Sequence, residues 1–92
     1  MPYSITKYTR RQAAKIGVKV RLSTVKGKKI DVIRKDKKIA SVGSAGMGDY
    51  PTFRNKYGEK FALTRRKAYK MRHEKDRHIK WSRGWLADKL LW

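Results

Sequence analysis

Val18-Lys19-Val20-Arg21-Leu22-Ser23, residues 18–23, alternates apolar and polar side chains without a break. A period of two puts Val18, Val20 and Leu22 on one side of an extended chain and Lys19, Arg21 and Ser23 on the other, the pattern of a half-buried strand. Lys26-Gly27-Lys28-Lys29 reads as the turn that follows. Two further strand-like stretches, Ile30 to Lys35 and Lys38 to Ser44, meet at Lys35-Asp36-Lys37-Lys38. That spacing predicts a tight hairpin, although no Gly supplies the positive φ that a type I′ turn favours. Ile30 and Val32 can join Val18, Val20 and Leu22 on a shared inner face. Ile39 and Val42 are an odd number of residues apart, so a regular strand cannot place both there. A bulge near Ser41, or a strand covered on both faces, resolves the conflict.

Working outward, Thr9 is a good N-cap for a helix from Arg10 to Ile16, with Gly17 as its C′ stop. Beyond the sheet, Gly43 to Gly48 interrupts the strand pattern, and Asp49 can cap a short helix from about Pro51 to Tyr57, closed by Gly58. Thr64 opens the longest helical stretch, Arg65 to about Ile79, which is polar all round. Ser82 caps a last amphipathic segment in which Trp85, Leu86, Leu90 and Trp92 share a side. The sequence thus predicts an α+β fold in one small basic domain over residues 1–92. An N-terminal helix region (1–17) leads into a three-stranded antiparallel sheet with a hairpin (18–44) and a helical C-terminal half (49–92). Trp81, Trp85, Leu86, Leu90, Leu91 and Trp92 are the expected lid on the sheet.

Charge dominates the composition. The 92 residues carry 26 Lys and Arg against 7 Asp and Glu, a formal net charge of +19. Repulsion at that density opposes compaction and is relieved by an anionic partner. With 39% hydrophobic residues, however, the chain is too apolar to be a disordered basic tail. It has no Cys, which excludes disulfides, thiol catalysis and Cys-based zinc sites. No apolar run approaches the roughly 20 residues of a membrane span, and the N-terminus lacks the apolar stretch of a secretory signal. An intracellular protein, or one packaged in a particle made in a cell, is expected.

The segment from Arg65 to Arg77 is the best candidate contact surface. Placed on a helix, Arg65, Arg66, Lys67, Lys70, Arg72, Lys75 and Arg77 wrap more than half of its circumference and can lie along a phosphate backbone. Lys28, Lys29, Lys35, Lys37 and Lys38 make the turns of the sheet positive. Tyr50, Phe53, Tyr57 and Tyr69 stand among Arg54, Lys56, Lys60 and Lys70, an interleaving on which nucleobases can stack, although a domain this small also needs rings for its core.

Catalytic and metal readings fare worse. His73 and His78 are five apart, about 140° around a helix, and do not face one site. The zincin pattern needs His at i and i+4, so local pairs such as Glu74 with His78 explain the segment more simply. Gly43-Ser44-Ala45-Gly46-Met47-Gly48 lies between a strand and a helix, but its spacing matches neither the dinucleotide nor the Walker pattern. No Ser/His/Asp arrangement or carboxylate pair is visible. The sequence therefore predicts no enzyme, no cofactor, no metal and no small-molecule substrate.

Four stretches come in a distinctive order: Ile39-Ala40-Ser41-Val42-Gly43, Asp49-Tyr50-Pro51-Thr52-Phe53, Arg65-Arg66-Lys67-Ala68-Tyr69-Lys70-Met71-Arg72-His73 and Gly84-Trp85-Leu86-Ala87-Asp88-Lys89-Leu90-Leu91-Trp92. Over roughly residues 29–92 the chain resembles a family of small basic proteins encoded by large nucleocytoplasmic DNA viruses of the algal and mimivirus-like groups; residues 1–28 match only loosely. The resemblance implies a viral product, carried in the virion, and transfers no catalytic residues. Two functions follow as expectations. One is sequence-independent nucleic-acid binding, DNA ahead of RNA. The alternative is a minor capsid protein whose charge meets acidic protein surfaces or membrane headgroups, with the Trp-rich C-terminus as its anchor.

Overall fold

The computed structural model describes residues 3–92. Its elements are α1 (Lys7–Ile16), β1 (Lys19–Leu22), β2 (Lys28–Arg34), β3 (Lys37–Ser44), α2 (Tyr50–Tyr57), α3 (Glu59–Arg72) and α4 (Arg83–Leu91). The fold is α+β, with an N-terminal helix, an antiparallel sheet in the order β1-β2-β3 and helices filling the C-terminal half. The alternation at the start of the sheet does what its period requires. Val20 pairs with Val32 and Leu22 with Ile30 across β1–β2, and Ile30 pairs with Val42 across β2–β3. Ile30, Val32 and Val42 are fully or almost fully buried, and they join Ala13, Val18, Leu86, Leu90 and Leu91 in the core. Leu22, at the end of the edge strand, is half exposed. Lys28 and Lys29 are strand residues of β2, and the turn before them is confined to Val25, Lys26 and Gly27.

The hairpin forms without glycine. Lys35 and Asp36 take φ of 52° and 63°, the signs of a type I′ turn, whose twist matches that of the flanking strands. Lys35 is an uncommon residue for that conformation, and Asp36 is better suited because its short polar side chain tolerates it. The parity conflict in β3 is resolved by a bulge, but two residues earlier than Ser41. Ile33 pairs with Lys38 and Val32 with Ala40, so Ile39 is the extra residue. Ile39 is thereby turned partly outward and Val42 goes into the core.

The helices differ from the sequence reading at two places. The N-cap of α1 is Thr6, whose Oγ1 accepts from Thr9 N at 3.2 Å. Thr9 lies inside the helix, fully buried, and its hydroxyl donates to the Leu90 carbonyl at 2.9 Å. That carbonyl belongs to the last turn of α4, where no intrahelical donor is available. The long polar helix also begins earlier. Gly58 closes α2 and starts α3 at once, so Thr64 is a mid-helix residue donating to the Lys60 carbonyl. This helix stops at Arg72, and residues 73–81 are turns. Ile79, the aliphatic residue within that segment, is exposed, so a longer helix has nothing to bury there.

Asp49 and Ser82 cap α2 and α4 as expected. The α4 helix packs on β3 and on α1, and α2 packs on α3. The Trp92 ring, stacked on Tyr69 at 4.3 Å and 8°, ties α3 to the end of α4. Trp92 is buried with Leu86, Leu90 and Leu91, while Trp81 and Trp85 are half-buried at the hairpin end. There the Arg34 guanidinium lies 4.0 Å over the Trp81 ring.

Gly43 has a φ of 83°, and a Cβ at that position would come within 2.8 Å of Leu91 Cδ1. Gly46 has a similar φ of 85°, but a Cβ there would meet open space. Gly46→Ala should therefore cost only the left-handed backbone term, about 1–2 kcal/mol, and Gly43→Ala roughly 1–3 kcal/mol more from overpacking. Urea denaturation of both variants checks this, and equal losses would remove the packing role given to Gly43.

Candidate polyanion-binding surface

With 7 acids in the chain, the site is best built from where they go. Asp49, Asp88 and Asp31 are buried, and each holds a cation of the same chain. Asp49 caps α2 through Oδ1, which accepts from Thr52 N at 3.1 Å, while its Oδ2 accepts from Lys29 Nζ at 3.1 Å and Tyr3 OH at 3.0 Å. Burial first, then the Asp49 charge, pushes the Tyr3 hydroxyl well above its ordinary range. Asp88, on α4, accepts from Lys70 of α3 at 2.7 Å, with Arg77 at 3.9 Å. Burial and that same carboxylate raise the Tyr69 hydroxyl.

Asp31 is covered differently, by a thin polar layer on the outer side of the sheet. Its Oδ1 accepts from Ser23 and Ser41 hydroxyls, both at 2.6 Å, and the exposed Arg21 reaches Oδ2 at 3.4 Å. The Ser23 bond, followed by the Ser41 bond, holds its carboxyl down to about 2.

The remaining acids, Asp36, Glu59, Glu74 and Asp76, are exposed. Glu74 accepts from Arg77 at 2.8 and 3.0 Å and pairs with His78 at 2.7 Å. Chiefly through His78, its carboxyl sits below the usual range. Of the 26 Lys and Arg, Lys29 is buried, Lys28, Arg34, Arg66, Lys70 and Arg77 are half-buried, and the other twenty are exposed.

This accounting divides the residues proposed from sequence. Arg65, Lys67, Arg72, Lys75, Lys35, Lys37 and Lys38 are exposed, and Lys28 is half-buried at the rim of a groove. Lys29, in contrast, lies inside the fold on Asp49. Lys70 is held by Asp88, and Arg77 by Glu74 and Asp88. Arg66 lies 3.7 Å over the Tyr50 ring and donates to the Tyr8 hydroxyl at 3.1 Å. These four are corrected from contact residues to internal partners, because each neutralises an acid or caps a ring within the fold. Lys75 and Arg77 are also not on a helix, since α3 has ended, so the basic residues of 65–77 do not wrap one cylinder.

The rings divide in the same way. Tyr50 is buried under Arg66, and Tyr69 is sandwiched between Trp92 and His73, both at 4.3 Å. Phe53 is half-buried, whereas Tyr57 is 55% exposed and Phe61 43%. The Gly43–Gly48 loop does not present the α2 N-terminus to a ligand, because the Asp49 carboxylate already occupies it. The sequence reading did not single out the exposed cations of α1 (Lys7, Arg10, Arg11 and Lys15). It did set Lys56 beside Tyr57, and in the fold the Lys56 ammonium lies 5.4 Å from the Tyr57 ring centroid. No group of three or more His, Asp or Glu able to hold a metal is present among the described residues, nor is any helix there long and apolar enough to cross a membrane. The chain matches no protein-family model, no curated protein and no solved structure.

Removing one member of a buried ion pair leaves the other charge uncompensated. Lys29→Ala should therefore cost about 3 kcal/mol or more, against no more than about 0.5 kcal/mol for the hairpin variant Lys37→Ala. Thermal or urea unfolding separates the two, and similar small losses would mean that Lys29 carries no structural role. Asp31 adds a pH dependence. Its folded value lies below the ordinary carboxylate value of 3.8, so its stabilisation is complete above about pH 4 and fades as pH falls toward 2. Asp31→Asn should flatten that part of the acid-denaturation curve, whereas an unchanged acid limb would assign it to other groups.

Proposed function

We propose that this chain is a non-enzymatic polyanion-binding protein whose partner is nucleic acid, DNA ahead of RNA, held through its phosphates without readout of sequence. One observation carries the reading: three of the seven acids are buried, each against a cation of the same chain, and twenty Lys and Arg are exposed against four acids. Such a surface gains free energy from a polyphosphate chiefly by releasing condensed counterions. The contact residues are the exposed ones, Arg65, Lys67, Arg72 and Lys75 on and after α3, Lys35, Lys37 and Lys38 at the hairpin tip, and Lys28. The resemblance to small basic proteins of large DNA viruses is what supports an infected cell and the virion as the setting of this activity. The minor-capsid alternative gains little support, because Trp92 is buried and Trp81 lies beneath Arg34, so neither is a free hydrophobic anchor.

The test is binding of the purified protein to a labelled random-sequence DNA duplex over a salt series. Submicromolar binding near physiological salt, with a steep log–log slope, is expected. Replacing Arg65, Lys67 and Arg72 together with Gln should reduce that slope by about three, close to 0.9 per lost phosphate contact. The same change at Lys7, Arg10 and Arg11 should reduce it less. Equal losses would show that the charge acts over the whole surface, and binding that disappears well below physiological salt would overturn the reading.

A further inference from the structure

An open groove of about 700 Å³ runs between the β1–β2 turn and α2. Leu22, Met47, Phe53 and Tyr57 are its apolar and aromatic lining, and Lys28 and Lys56 are among its cations. A smaller hollow of about 240 Å³ shares the Met47, Gly48 and Phe53 wall and carries Arg65, Arg72 and His73. Gly48 keeps that wall thin, because a Cβ there would overlap the Phe53 ring. Leu22 is 51% exposed, Met47 63% and Tyr57 55%, so these apolar side chains are open to solvent among the described residues.

We propose that this groove takes a single-stranded stretch of nucleic acid, with a base stacked on Tyr57 and flanking phosphates on Lys28 and Lys56. The inference rests on the nucleic-acid reading and deepens it from phosphate contact to strand form. Two observations favour this occupant. Tyr57 is the most exposed of the rings, whereas the faces of Tyr50 and Tyr69 are taken by Arg66, Trp92 and His73. Tyr57 stays 55% exposed although Phe61 lies 4.8 Å and the Lys56 ammonium 5.4 Å from its ring centroid, and an exposed ring beside cations is the arrangement that sequence-tolerant single-strand binders use. The groove walls carry Lys28, Lys29 and Lys56 and no Asp or Glu, and Lys29 is already neutralised by Asp49, so the free charge in the groove is positive. A duplex keeps its bases stacked inside and offers nothing for the ring to hold.

The experiment compares affinities of wild type, Tyr57→Ala and Tyr57→Phe for labelled oligothymidine and for a duplex of equal length, at one salt concentration. Tyr57 lies at the end of α2, 55% exposed and with no side-chain hydrogen bond among the described residues, so Tyr57→Ala should fold, and circular dichroism verifies it. Tyr57→Ala should weaken oligothymidine binding about tenfold, which corresponds to about 1.4 kcal/mol and lies within the range for base–aromatic stacking. Duplex affinity should be unchanged, and Tyr57→Phe should stay near wild type for both. If Tyr57→Ala changes neither affinity, or both equally, the groove is not a single-strand site, while the phosphate-binding reading stands. If neither nucleic acid binds near physiological salt, that underlying reading fails as well. If polyglutamate displaces oligothymidine, and its own binding depends on Tyr57, the groove belongs to an acidic protein and the proposal is overturned.

Discussion

The Lys29–Asp49 pair is the contact on which most of the architecture converges. Both side chains are buried and 3.1 Å apart, and they come from elements that the chain must bring together from a distance. Lys29 sits in the central strand and Asp49 at the first turn of α2. Tyr3, from the segment before α1, adds a hydroxyl to the same carboxylate oxygen, and Gly43 of β3 leaves the room that the Lys29 side chain needs. A buried charge pair of this kind contributes little net stability over apolar residues of the same shape, yet losing one partner is costly. Its effect is therefore to penalise arrangements in which α2 docks anywhere else. In a chain with so much repulsion to overcome, that specificity acts at the junction between the sheet and α2.

The same constraint shapes the rest of the molecule. A domain of this size buries a modest fraction of its surface, and its charges must sit close together. The few acids that are present are placed where they join elements: Asp49 between sheet and α2, Asp88 between α4 and α3. Asp31 does so between adjacent strands. Cations without an acid are parked on rings instead, Arg34 on Trp81 and Arg66 on Tyr50; such contacts are worth about 0.5–2 kcal/mol depending on desolvation. Internal neutralisation and a cationic exterior are thus two results of one distribution. The acids drawn inward join elements of the fold, and the exposed Lys and Arg then outnumber the exposed acids twenty to four.

Much of the fold was legible because it is encoded by local pattern. The alternation at Val18 to Ser23, the two-residue hairpin, and the caps at Asp49 and Ser82 all depend on residues within a few positions of each other. The parity of Ile39 and Val42 asked for a bulge near Ser41 or a strand covered on both faces, and the bulge formed at Ile39. The misplacements have the opposite character. Thr9 is an excellent cap by type, but the carbonyl that claims its hydroxyl is at Leu90, at the far end of the chain. Thr64 is equally plausible by type, yet Gly58 lets α3 start as soon as α2 ends. The candidate surface was legible only as a total. Composition shows that the exterior must be basic, but whether Lys29 or Lys37 faces solvent depends on a tertiary partner that no spacing rule reveals.

That distinction bears on how a strongly basic protein recognises its partner. Attraction by net charge alone does not depend on which cations are free, because a screened field averages over them within about 10 Å. Contact does depend on it. Once Lys29, Arg66, Lys70 and Arg77 are committed internally, the exposed bases of α3 are Lys60, Arg65, Lys67 and Arg72, and Arg65 and Lys67 point about 200° apart around the helix. Cations spread over several sides suit a partner that can bend between contacts better than a rigid duplex, whose phosphates recur at fixed spacing. The open ring of Tyr57 points the same way, since an unpaired base can reach it and a paired base cannot. The free cations and the exposed ring are separate observations on this chain, and both bear on which form of the proposed nucleic-acid partner it takes.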